Sequence, residues 1–235
     1  NTVYSARKEI LGNIHPDTLS ALANLAASYS HIGNYNKALE LTNIVYNGLK
    51  EIFGETHPKT IDALGNIANI YNNLGFHNKA LEVEKAVYTR RKEILGENNP
   101  ETLRSLANLA ISYSELGDYN KALELKKTVY NATKELLGEN HPDTLSSLAS
   151  LAISYSELGD YSKVSELQNI VYNARKEILG EKHPDTLNAL NNLAISYSNL
   201  GDYSKALELH NTVYSARKEI LGNIHPDTLS ALANL

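Results

Sequence analysis

The chain of 235 residues contains no cysteine. That excludes disulfides and thiolate metal sites and is compatible with a reducing compartment, so the expected location is intracellular, in the cytoplasm. A basic excess is also missing. Twenty-two Lys and Arg stand against 27 Asp and Glu, for a net charge of −5. Nothing in that balance argues for nucleic acid or for an anionic membrane surface as partner. No apolar run reaches the ~18 residues of a membrane span, and no signal-peptide pattern is seen, so no membrane partner is expected. A glycine-rich phosphate loop and a nucleophile elbow are absent as well. Catalysis and cofactors are therefore not expected. Asn131-Ala132-Thr133 fits a glycosylation sequon and reads as a chance match.

Proline is scarce, and its six occurrences are all of one kind. His15-Pro16-Asp17-Thr18-Leu19 recurs every 42 residues as His57-Pro58-Lys59-Thr60-Ile61, Asn99-Pro100-Glu101-Thr102-Leu103, His141-Pro142-Asp143-Thr144-Leu145, His183-Pro184-Asp185-Thr186-Leu187 and His225-Pro226-Asp227-Thr228-Leu229. Proline has a fixed φ and no N–H, so it is cheapest at the first position of a helix. Asp, Glu and Thr suit the turn that follows. Each copy therefore marks a helix start. A 42-residue period makes the chain a solenoid in which each unit meets its neighbours.

The divisions are a partial repeat 1–14, full repeats 15–56, 57–98, 99–140, 141–182 and 183–224, and a partial repeat 225–235, forming a single array over 1–235. In the first full repeat the apolar residues Leu19, Leu22, Leu25, Ala26, Tyr29 and Ile32 follow one helical face. Gly33 stops that helix, and Asn34 caps a second with the stripe Ala38, Leu41, Val45, Leu49 and Ile52, beside Tyr46. Helices are expected near 16–32 and 35–53, repeating at +42. All fifteen tyrosines fall in three series of the same period, starting at Tyr4, Tyr29 and Tyr35, and read as packing between helices.

The run from Leu106 to Leu123, Leu-Ala-Asn-Leu-Ala-Ile-Ser-Tyr-Ser-Glu-Leu-Gly-Asp-Tyr-Asn-Lys-Ala-Leu, resembles the core of a tetratricopeptide repeat. Ala110 and Ala122 occupy its small positions. Leu22, Leu64, Leu106, Leu148 and Leu190 stand where that family usually has Trp. The usual unit is 34 residues; the 42-residue form is similar to the repeats of kinesin light chains. The resemblance implies an all-α, right-handed superhelical solenoid of antiparallel helix pairs, with the first helix of each pair lining the concave face. It also implies binding of peptides or protein segments, without catalysis by the repeats.

Within that frame Asn24, Asn66, Asn108, Asn192 and Asn234 form a ladder on the first helix, interrupted by Ser150. An amide offers donors and an acceptor to a peptide backbone. The same amides could instead satisfy polar groups between successive first helices. Further groove candidates are Asp62, Arg104 and Asn188, in series with Ser20 and Ser146, and a second series Ser30, Asn72, Ser114, Ser156 and Ser198. The Lys/Arg cluster that would clamp a carboxylate terminus is missing.

The histidines before proline are too far apart to share one zinc ion, since equivalent positions sit ~8–10 Å apart or more, so no metal site is expected. They read as caps on a backbone N–H.

The second repeat departs most, with Lys59, Phe76 and His77 at otherwise regular places and with Gly65 inside a helix; Gly48, inside another, also falls outside the regular glycine series. This is either drift in a stable array or a local partner site or soft point. Residues 1–25 and 211–235 are identical, so the half-repeats at 1–14 and 225–235 are expected to support head-to-tail self-association.

Overall fold

The computed structural model describes residues 2–235. Asn1, the first residue of the opening partial repeat, lies outside them. Twelve α-helices and no strand make up the described residues. They are α1 (Thr2–Leu11), α2 (Pro16–His31), α3 (Tyr35–Phe53), α4 (Pro58–Asn73), α5 (His77–Leu95), α6 (Pro100–Glu115), α7 (Tyr119–Leu137), α8 (Pro142–Glu157), α9 (Tyr161–Leu179), α10 (Pro184–Asn199), α11 (Tyr203–Leu221) and α12 (Pro226–Ala233). The even-numbered helices are the first of each pair and the odd-numbered the second. Two compact units divide the chain, one up to Leu125 and one from Lys126 to Leu235, so the boundary falls inside α7.

Each helix start is built as its sequence demands. Pro16 is the first helical residue of α2, and the Nδ1 of His15 accepts the Asp17 N–H at 3.2 Å. His57, His141, His183 and His225 repeat that bond, and Asn99 makes it through Oδ1 at 2.9 Å. The imidazoles are thus caps. The second helix of a pair is capped by Asn34 or by Asp160 and Asp202, and α3 ends at Gly54, whose φ of 85° suits glycine alone.

In the first unit α2 packs on α3, α3 on α4, α4 on α5 and α5 on α6. Leu19, Leu22, Ala26, Leu41, Val45, Leu49 and Ala63 form one core cluster across α2, α3 and α4. Ile61, Leu64, Ile67 and Val87 form the next. The second unit repeats the arrangement, with Leu190, Val213 and Ala231 buried together. Pairs of antiparallel helices therefore share one continuous apolar seam within each unit.

Two parts of the expected stripe are not core. Ile32 is 75% exposed because it is the cap residue beyond the last turn of α2, where the helical face no longer holds. Ile52 is exposed in the last turn of α3. The tyrosines are half-buried rather than enclosed, and in the third series Tyr119 and Tyr203 are exposed at the first residue of α7 and α11.

The irregular residues have separate causes. A Cβ at Gly48 would come 2.8 Å from Leu19 Cδ1, so the glycine admits a buried leucine. Gly65 has open space beside it, and nothing in the structure explains its lack of a side chain. Phe76 stands at a cap position without a capping bond and is 48% exposed. It lies tilted against Tyr71, 6.3 Å away, with Lys79 Nζ 5.2 Å from its ring centre.

Candidate functional site

A cleft opens between α2 and α4 in the first unit. Its outer end is a depression of about 230 Å³ lined by residues that include Ser20, Ala23, Lys59, Asp62, Ala63 and Asn66. A second depression of similar size continues it past Thr42 and Asn69 to Ser30 and His31. Ala23, Val45, Ala63 and Asn66 belong to both. The buried part of the lining is apolar, with Ala26, Ala63 and Val45, and the exposed part carries amides, hydroxyls and one charge of each sign. Such a surface offers van der Waals contact to side chains and paired hydrogen bonds to a backbone.

The cleft exists for a sequence reason. On the first helix, Ala27 and Asn69 line it where later repeats carry Ile111, Ile153 and Ile195. On the second helix, Leu49 stands where other repeats carry arginine. Those arginines tie one repeat to the next. Arg7, Arg91, Arg175 and Arg217 each donate from Nη1 to the carbonyl ten residues on, at Asp17, Glu101, Asp185 and Asp227, over 3.0–3.3 Å. Arg91 also donates to Ser105 Oγ at 2.8 Å and pairs with Asp62. Arg217 donates to Asn188 Oδ1 at 2.7 Å. Thr133 replaces the tie by a hydroxyl pair with Ser147, 2.9 Å apart.

The ladder residues Asn24, Asn66, Asn108 and Asn192 lie on first helices, and Asn234 follows the last residue of α12. Asn24, Asn66, Asn192 and Asn234 are exposed and Asn108 is half-buried. Only Asn66 lies in the cleft described above. Asn234, the cap of α12, donates to Asn191 Oδ1 at 3.1 Å, a bond between successive first helices. Asp62 lines the cleft but is held by Arg91, and Asn188 is held by Arg217, so both are part of the ties. Arg104 points to its own helix, where it pairs with Glu101. The ties escape a reading by hydrophobic pattern. Their signal is a fourfold arginine series at 42-residue spacing with gaps at Leu49 and Thr133.

Several polar side chains are buried on the second helices. Burial pushes the Glu84 carboxyl up to about 7, with the Arg91 guanidinium pulling the other way. Burial lowers Lys126, opposed by the Glu157 charge, and lowers His210. Among the described residues no group of three His, Asp or Glu side chains gathers as a metal site would need, and no helix is long and apolar enough to cross a membrane.

The sequence profile of the tetratricopeptide repeat matches residues 17–93, 59–135, 117–177 and 165–219. Among curated proteins, none matches the chain in sequence. Solved structures do. A putative kinesin light chain of Podosopora anserina with nearly identical TPR-like repeats is 26% identical, with a TM-score of 0.77 over 88% of this chain and 98% of that one. BtubC of P. vanneervenii is 19% identical, with a TM-score of 0.77 over 96% of this chain and 90% of that one. A Rap protein complexed with Competence and Sporulation Factor is 11% identical, with a TM-score of 0.69 over 98% of this chain and 66% of that one. With helix pairs in every repeat and the profile matching most of its length, the chain belongs to the tetratricopeptide repeat family.

Proposed function

We propose that the array is a non-catalytic interaction scaffold that holds an extended peptide or protein segment against its first helices, beginning in the cleft between α2 and α4. The observation that carries this reading is the cleft itself, with Ala63, Val45 and Asn66 common to both depressions. The repeats differ from one another on this side. The stripe Ser20, Asn24, Ala27 and His31 becomes Asp62, Asn66, Asn69 and Asn73, then Arg104, Asn108, Ile111 and Glu115. Side chains that differ from repeat to repeat on an exposed face give a partner distinct groups to contact along the array. The Rap relative, whose structure holds Competence and Sporulation Factor, gives the same fold in a complex.

The test is selection of a phage-displayed peptide library on the chain, followed by affinity measurement on Asn66→Ala with Asn108→Ala. A loss of at least ~10-fold with helical content intact is expected. If the double variant unfolds, the asparagines are structural; if affinity is unchanged, the ladder is not the contact.

A second reading is end-to-end association of copies. Val3 and Ile10 of α1, and Leu229, Leu232 and Leu235 around α12, are exposed apolar residues. Sedimentation velocity is expected to show association growing with concentration, and a monomer at every concentration retires this reading.

A further inference from the structure

Residues 42, 84, 126, 168 and 210 occupy one place in the five full repeats, and they are Thr, Glu, Lys, Gln and His. No other place in the repeat carries five different residues. Variation of this kind belongs on a surface, yet all five side chains are buried. Several buried places keep their residue in every repeat. Thr18, Thr60, Thr102, Thr144 and Thr186 are one such series, and Val45, Val87, Val129, Val171 and Val213 another.

The varied place lies where a second helix meets the first helix of the following repeat. Thr42 of α3 lines the cleft with Asn66, Asn69 and Ile70 of α4. Lys126 of α7 feels the charge of Glu157 on α8. Both oxygens of Glu84, Oε1 of Gln168 and Nδ1 of His210 are covered and have no hydrogen-bond partner. These atoms are covered by protein, so a groove ligand does not reach them, and their differences bear on the junction between helices.

Near-identical repeats face a particular hazard. The seam of Leu, Ala and Val is the same at every junction, so a second helix could dock on the wrong first helix, or on that of another copy, with almost the same apolar burial. We propose that the varied polar place is the address that fixes which first helix each second helix accepts. In the native register Lys126 stands near Glu157. If α5 took the place of α7 there, Glu84 would meet Glu157, and two carboxylates would share a poorly solvated junction. A buried polar residue that sets register in this way costs stability and gains specificity.

The absence of native cysteine supplies the test. Thr133→Cys with Ser147→Cys joins positions whose hydroxyls are 2.9 Å apart in the native register. This reporter chain is refolded from denaturant at rising concentration and then oxidised. With the native polar set, the disulfide is expected within one chain at every concentration. With Glu84→Thr, Lys126→Thr, Gln168→Thr and His210→Thr added, all matching Thr42, the fraction linked between chains is expected to rise several-fold with concentration while helical content is kept. An unchanged within-chain disulfide overturns the proposal. Should the fourfold variant fail to fold, Lys126→Glu in the reporter decides. It is expected to raise linkage between chains, and Glu157→Lys added to it is expected to restore the native pattern. No rescue by that exchange overturns the address.

Discussion

Glu84→Gln is expected to make the first unit more stable than the native chain at about pH 8, and no more stable at about pH 4. Glu84 is 1% exposed, its oxygens lack partners, and its carboxyl titrates near 7 when folded. The unfolded value is about 4.3. Between those two values the folded chain binds a proton that the unfolded chain does not. Stability therefore falls as pH rises through this window, and the loss is complete above the folded value. The difference amounts to something on the order of 2–3 kcal/mol, with allowance for solvent near the junction. Glutamine keeps the shape and removes the ionisation. Urea unfolding of both proteins across that range, compared as a difference, isolates this group from all others. Parallel curves would show that Glu84 is solvated in the folded chain.

Leu22→Ala is expected to cost roughly 3 kcal/mol, in the range for a fully enclosed leucine. Leu22 is 1% exposed and packs in the cluster that joins α2, α3 and α4. Its loss opens a cavity at a junction, where the neighbouring alanines Ala26 and Ala63 are too small to close it. Tyr113→Ala should cost less, because the Tyr113 ring is only half-buried. A chemical unfolding curve for each, read at the same probe, checks the order. A smaller cost for Leu22→Ala than for Tyr113→Ala would overturn it.

The helix plan was legible because its signals are local. Pro16 with His15 before it, Gly33 between the helices and Gly54 after them fix the boundaries by backbone chemistry that needs no knowledge of neighbours. The leucine and valine stripes were legible for the same reason, apart from Ile32, where a cap residue continued the apolar pattern past the end of the helix. What could not be read was anything set between repeats. Arg91 looks like one more solvated charge until its carbonyl, Ser105 and Asp62 partners are brought around it. Asp62 and Asn188 looked available for the same reason, although an arginine from the second helix of their own repeat holds each one. Glu84 falls on the apolar face, four residues after Ala80 and three before Val87, but a carboxylate is a residue type that pattern reading leaves in solvent.

The arginine ties have a mechanical consequence. Within the first unit, Arg7 fastens α1 to the start of α2 and Arg91 fastens α5 to the start of α6. At Leu49 no such arginine joins α3 to α4, and the apolar core there is supplemented by Lys59 over the Phe53 ring and by the exposed ion pairs of Glu55 with Lys50 and Arg90, which add little. Apolar contacts slide at little cost, whereas a charged fork on a carbonyl resists both shear and separation. Compliance in this unit is therefore uneven, with two stiff joints on either side of a yielding one. The yielding joint adjoins the open cleft, so a segment too thick for the resting cleft can widen it by moving α4, α5 and α6 together against α3, without breaking any of the arginine ties.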